Sequence, residues 1–126
     1  MHKAIYTKKG ARPLGPYSQG IVAQGKLVFL SGQGPVDPAT GQLVLGDFRA
    51  QAELTLNNVG TLLEAAGATW ADVVQVNVFL ADQADFVTFN EVYAQYVQEP
   101  YPARSTIEAC LGQMGLEVAV TAVVQE

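Results

Sequence analysis

Histidine and cysteine are almost missing from this chain. The one histidine is His2 and the one cysteine is Cys110. A Ser-His-Asp triad, a Cys-His dyad and a histidine-rich metal centre are thereby excluded, and a tight zinc site lacks its donors, so no metal is expected. A single cysteine allows no intrachain disulfide, and a reducing, cytoplasmic compartment is the expectation. The N-terminal stretch carries no apolar signal-peptide core, and no apolar run approaches the roughly 20 residues that span a bilayer. Neither secretion nor a membrane partner is expected. Internal repeats and low-complexity tracts are absent too.

Positive charge is also scarce. Seven Lys and Arg stand against twelve Asp and Glu, a formal charge of -5. Lys3, Lys8, Lys9 and Arg12 all precede the first carboxylate, Asp37. From Ala50 to Glu126 the only cation is Arg104, set among ten carboxylates. So acidic a surface argues against a phosphate backbone as ligand, and no nucleic-acid partner is expected. The short basic N-terminal run reads as a solvated strand edge. Acid–base chemistry is left to carboxylates, tyrosines or bound water.

Arg104 sits in the stretch Tyr101-Pro102-Ala103-Arg104-Ser105-Thr106-Ile107-Glu108, with Glu117 beyond it. Its planar fork grips a carboxylate through two parallel hydrogen bonds. Two readings are open on the residues alone. Arg104 holds the carboxylate of a small substrate, or it forms an ion pair with a nearby Glu inside the chain or at an interface.

With 126 residues, 49% of them apolar, the chain reads as a single domain over 1–126 with one core. Several clefts do not fit in so small a body, and a site shared between subunits becomes plausible. Residues 3–7 read as an edge strand and 10–16 as a loop. Residues 19–23 and 27–31 read as two strands joined by a tight hairpin at Gln24-Gly25. Ser31-Gly32-Gln33-Gly34-Pro35 breaks the ladder, and Asp37-Pro38-Ala39-Thr40-Gly41 is a turn. Asp47 caps a helix to about Ala66, whose apolar face is Phe48, Ala52, Leu56, Val59, Leu63 and Ala66, with Gly67 beyond its end. Residues 73–80 read as a buried central strand. Asp85 caps a second helix carrying the stripe Phe86, Phe89, Tyr93 and Tyr96, which stops before Pro100. The stripe reads as core rather than as a cofactor box.

Two strands close the chain, at 104–110 and 116–124. Alternation puts Ser105, Ile107, Ala109 and Leu111 on one side of the first, and Arg104, Thr106, Glu108 and Cys110 on the other. In the second, Leu116, Val118, Val120, Ala122 and Val124 form a core face opposite Glu117, Ala119, Thr121 and Val123. With both apolar sets packed on the helices, Arg104 and Glu117 share the far face of the sheet. Cys110, Ala119, Val123 and Phe79 leave that face partly apolar, so another subunit is expected to cover it. The order βββ–α–β–α–ββ gives an α+β fold, a mixed β-sheet with two helices packed on one face.

Three motifs stand together: Gly15-Pro16-Tyr17-Ser18-Gln19, Ser31-Gly32-Gln33 and Tyr101-Pro102-Ala103-Arg104-Ser105. In this order, with Asn90 and Tyr93 in the second helix and Glu117 near the end, the chain resembles the RidA (YjgF) family of enamine/imine deaminases over nearly its whole length. The resemblance implies a chorismate-mutase-like fold and a homotrimer, a trimeric barrel with active sites between subunits. It implies hydrolysis of 2-imino acids such as 2-iminobutanoate and 2-iminopropanoate, released by pyridoxal-phosphate enzymes, to 2-keto acids and ammonia, with no cofactor. It gives Arg104 the role of carboxylate-binding residue and Glu117 that of the acid that activates water. Tyr17, Ser31, Gly32 and Asn90 match pocket positions, and Thr106 stands where many members have Cys. Two departures matter. The connection from Arg104 to Glu117 is about two residues shorter than in typical members, a change that preserves the side-chain period of a hairpin. Ala119 replaces a second acid common two residues after the catalytic Glu. The competing functions are a non-catalytic small-ligand-binding regulatory protein, an endoribonuclease or translation inhibitor, and a chorismate mutase by fold alone.

Overall fold

The computed structural model describes residues 2–125. Helix α1, Phe48–Ala65, begins where the Asp47 side chain accepts the Ala50 N–H at 3.0 Å. This satisfies one of the donors that a helix start leaves unpaired. Ala52, Leu56, Val59 and Leu63 are fully buried along one face, as their spacing predicts. Ala66, expected on that face, is exposed. Gly67 follows with φ +77, a conformation that costs a residue without Cβ nothing.

Four strands form the main sheet: β3, Lys26–Phe29; β4, Val73–Leu80; β5, Ala103–Glu108; and β6, Leu116–Val124. Their order is β3-β6-β4-β5, with β4 and β5 parallel and the other pairs antiparallel. A parallel neighbour needs a crossover, and here α2, Phe86–Tyr93, provides it. Both helices pack on one face of this mixed sheet, over Val76, Val78, Leu80, Leu116, Val118, Val120 and Ala122, all nearly or wholly buried.

Strands β1, Lys3–Ile5, and β2, Gly20–Val22, form a separate antiparallel pair. The expected hairpin between β2 and β3 is not formed. Gly25 does take a positive φ, +144, but its turn sends β2 to β1 and β3 to β6. Long-range ladder partners decide this, not the local turn. Asp85 also departs from expectation. It makes no capping hydrogen bond to α2, whereas the Asp82 side chain accepts the Ala84 N–H at 2.9 Å in the short helical turn before it.

Strand β5 faces the other way from the sequence expectation. Its register sets Arg104 beside Val76, Thr106 beside Val78 and Glu108 beside Leu80, all on the helix-covered side. Ser105 and Ile107 lie beside Asn77 and Phe79 on the far side. The most apolar set of an edge strand was expected to point inward, and it does not. The aliphatic stem of Arg104 fills that place instead, with its head among aromatic rings. Glu117 stands beside Phe79 and Ala119 beside Asn77, on the far side as expected. Arg104 and Glu117 therefore lie on opposite faces of the sheet. The far side is strongly apolar: Leu27 is 58%, Phe29 73% and Ile107 52% exposed.

Candidate active site

The seven residues singled out in the sequence gather into two groups rather than one. The first group is on the helix side of the β5 edge. Arg104 lies there with its guanidinium carbon 5.2 Å from the Tyr93 ring centre, 5.4 Å from Tyr17, 5.6 Å from Phe89 and 5.7 Å from Phe86. Phe86, Phe89 and Tyr93 recur at helical spacing on α2 and so present one wall. Tyr17 comes from the loop before β2. Its phenol oxygen accepts the Leu14 N–H at 2.9 Å, which folds that loop back on itself. Gln19 anchors the loop's start: its amide accepts the Thr7 N–H at 2.7 Å and donates to the carbonyls of Thr7, 3.0 Å, and Ala11, 2.8 Å. The next turn of chain is joined to β5, where the Ser18 N–H donates to the Pro102 carbonyl at 3.1 Å.

Within this group, Arg104 Nη1, Asn90 Oδ1, Thr106 Oγ1 and Tyr93 Oη are buried with no hydrogen-bond partner among the described residues. Buried polar atoms are ordinarily paired, so an unpartnered guanidinium nitrogen marks a place built for something else. The one ion pair among the described residues joins Arg49 to Glu91. Among the described residues Arg104 is thus paired with no Glu, Glu117 included. Burial pulls the Arg104 pKa below its ordinary value, opposed by Tyr93 and Tyr17. Burial pushes the Tyr93 phenol well above its ordinary value, and Arg104 opposes that only partly. The phenol is a neutral ring at any physiological pH. A cavity of about 550 Å³ opens beside this group, lined by Tyr17, Ser18, Gln75, Ala103, Arg104 and Ser105 among others.

The second group is on the opposite face. The ladder from β3 to β6 pairs Phe29 with Thr121, and Leu30 N–H donates to the Val120 carbonyl at 3.1 Å. It resumes at Gln33, whose N–H and carbonyl bond Val118 at 2.8 and 2.9 Å. Ser31-Gly32 therefore holds one residue too many, a β-bulge. The bulge brings Gly32 against the Glu117 carboxylate: a Cβ built on Gly32 falls 2.2 Å from Glu117 Oε2 and 2.8 Å from its Cδ. Gly32 has no positive φ. It is needed for space, not for backbone freedom. Ser31 is exposed beside it, its carbonyl accepting from the Gln33 amide at 3.1 Å.

Tyr17, Asn90, Arg104 and Thr106 are thus brought together, as are Ser31, Gly32 and Glu117, but the two groups are not. The first group can hold an anion through an uncommitted fork. The second presents a half-exposed carboxylate with open backbone beside it, able to take and return a proton. One feature was missed in the sequence, the ring wall of Phe86, Phe89 and Tyr93 around Arg104. Their helical spacing was visible, but spacing alone does not tell core from ring wall.

The family model described as Endoribonuclease L-PSP matches residues 7–124 of this chain. A RutC family protein of Pyrococcus horikoshii is 46% identical over 108 residues, covering 86% of this chain and 85% of that protein. A 2-iminobutanoate/2-iminopropanoate deaminase of Bos taurus is 40% identical over 123 residues, covering 98% of this chain and 89% of that one. Among solved structures, E. coli TdcF with bound serine is 40% identical, with a TM-score of 0.73, over 98% of this chain and 99% of that one.

Proposed function

The chain belongs to the RidA/YjgF family, and from that premise we propose that it hydrolyses 2-imino acids and their enamine tautomers to 2-keto acids and ammonia. Names within the family diverge between deaminase, RutC family and endoribonuclease, so membership alone does not select the activity. The observation that carries this reading is the Arg104 fork, half-buried and, among the described residues, free of any carboxylate and with Nη1 unpartnered. A nuclease site needs cationic groups along a phosphate chain, and the whole chain carries a formal charge of -5.

In this proposal Arg104 receives the substrate carboxylate through paired hydrogen bonds and thereby fixes the imine carbon in place. The serine held by E. coli TdcF carries the same carboxylate on a molecule of the same size. Thr106 and Asn90 complete the pocket around the bound acid, and Tyr17 walls it. Glu117 is supplied by a second subunit, because no rotation of side chains brings it through the sheet to Arg104. The oligomer proposed is a homotrimer, in which the Ser31-Gly32-Glu117 edge of one subunit meets the Arg104 edge of the next. The exposed row Leu27, Phe29 and Ile107 supports burial of the far face in such an assembly.

The chemistry needs one base and one anion clamp. Water attacks the imine carbon. Its proton passes to the Glu117 carboxylate as the carbon–oxygen bond forms and the C=N π pair moves to nitrogen. Glu117 then returns the proton to nitrogen, giving a carbinolamine; it next takes the hydroxyl proton and passes it to the amine, and the C–N bond breaks as the C=O bond forms and ammonia leaves. No covalent enzyme intermediate forms, and no cofactor enters. Free imines already hydrolyse in water, so modest acceleration suffices.

A coupled assay tests the reading. A threonine dehydratase generates the imine, semicarbazide competes for it, and keto acid formation is timed with and without this protein. Wild type is expected to divert imine from semicarbazide to keto acid, and Arg104→Ala is not. Glu117→Gln is expected to bind 2-oxobutanoate as wild type does and to turn nothing over. An unchanged partition with wild type refutes the deaminase reading in favour of a ligand binder.

A further inference from the structure

Two acids on the elements that carry Arg104 and the rings are committed elsewhere. Glu108 lies on the same face of β5, and its carboxylate accepts the Gln83 N–H at 2.8 Å. Glu91 follows Asn90 on α2, and it pairs with Arg49. What surrounds the fork is four aromatic rings, 5.2 to 5.7 Å from its carbon. The Phe89 and Tyr93 rings stack, 5.4 Å apart and 22° from parallel, and Trp70 meets Tyr93 edge-on at 6.3 Å. Phe89 and Tyr93 are fully buried, so the wall is held from behind by the core.

From this geometry we infer that Phe86, Phe89 and Tyr93, with Tyr17, form an aromatic box that positions the Arg104 fork in place of a counter-carboxylate. A ring face attracts a cation without neutralising it. A carboxylate in the same place would fix the fork equally well, but would occupy the donors and cancel the charge that an incoming acid needs. The box thus holds the guanidinium still and leaves its hydrogen bonds uncommitted. The three α2 rings are positioning residues, acting on substrate through Arg104. The step from box to substrate rests on the proposed carboxylate-binding role of Arg104, whereas the box itself does not.

Two readouts separate those claims. Arginine labelled with ¹⁵N gives three side-chain signals, from Arg12, Arg49 and Arg104. Arg104 Nε–H is expected upfield of Arg12 through ring currents, and its hydrogen exchange about tenfold slower. Phe89→Leu and Tyr93→Leu are expected to return both properties toward those of Arg12, while Tyr93→Phe, which keeps the ring, retains them. Should a leucine variant fail to fold, residue-wide difluorophenylalanine keeps ring volume and weakens the ring quadrupole, and it is expected to speed Arg104 exchange several-fold. An Arg104 signal in wild type indistinguishable from Arg12, or unmoved by loss of the rings, overturns the box. In parallel, 2-oxobutanoate is titrated into each protein. The box acting on substrate predicts about tenfold weaker binding to Phe89→Leu, about 1.4 kcal/mol, and rescue in Tyr93→Phe relative to Tyr93→Leu. Wild type that fails to bind 2-oxobutanoate, with the Arg104 exchange as expected, overturns the deaminase reading and leaves the box standing.

Discussion

Gly32→Ala is a one-carbon change whose effect follows directly from the geometry. The added Cβ falls 2.2 Å from Glu117 Oε2 and 3.1 Å from its Cγ, where ordinary contact begins at 3.4 Å. The carboxylate must retreat by about 1 Å, and a displacement of that size in a reacting group costs on the order of 100-fold in rate. That is about 2.7 kcal/mol of transition-state stabilisation. The fold has little reason to suffer. Gly32 is exposed on a bulge and its φ is open to any residue. Rotating Glu117 off its preferred rotamer costs about 1 kcal/mol at most. The assay is steady-state imine hydrolysis beside thermal unfolding and 2-oxobutanoate titration. The expected result is kcat down about 100-fold, carboxylate affinity within about threefold and unfolding nearly unchanged. Wild-type kcat in Gly32→Ala, with Glu117 shown displaced by crystallography, would rule out Glu117 as the base, since the acid would then be dispensable.

Arg104→Lys keeps the charge but loses the planar fork, so KM is expected to rise at least tenfold in steady-state assays, with a smaller change in kcat. Tyr93→Phe removes a fully buried hydroxyl that has no partner among the described residues, and it is expected to unfold at or above the wild-type temperature. The same variant has a pH signature. A folded-state phenol pKa raised above 10.0 means stability that is complete below pH 10 and lost as pH rises, because the unfolded phenol ionises first. Denaturant titrations above pH 10 are expected to show a shallower loss in Tyr93→Phe, with the remainder carried partly by Tyr96, also raised. Phe29→Glu sets a charge in the apolar row of the far face. Light scattering is expected to show a folded species of lower mass, and imine turnover to vanish. A fully assembled Phe29→Glu protein contradicts the placement of that row at a subunit interface.

Much of this fold was legible because period and burial agreed. The α1 stripe, the two-sided apolar run of β4 and the alternation of β6 each admit one placement. Strand β5 did not, for a physical reason. An edge strand is half-buried, and a shift of one residue in its facing exchanges its whole side-chain set. The set with Ile107 is the more apolar, yet Ile107 faces out, at 52% exposure, and Arg104 faces in, sheltered by α2. An arginine stem counts as polar in any alternation rule and behaves as an apolar filler when rings receive its head. The same error concealed the division of the candidate residues between two faces. Gly32 could be read as a turn or bulge glycine; that it clears room for Glu117 depends on a contact between β6 and the bulge, which local sequence does not encode. The ordered motifs around Tyr17, Ser31 and Arg104 pointed to the family without help from any of this.

In the proposed enzyme Arg104 and Glu117 of different subunits form one site. Arg104→Ala and Glu117→Gln are each expected to be inactive alone. Unfolded together in equal amounts and refolded, they form mixed rings, in which an Arg104→Ala subunit contributes Glu117 and a Glu117→Gln subunit contributes Arg104. Random mixing in any closed ring restores about a quarter of the sites. Imine hydrolysis at about a quarter of the wild-type rate, from two inactive parents, is the predicted result. A mixture as inactive as its parents, with mixed rings verified by mass spectrometry, contradicts the shared site.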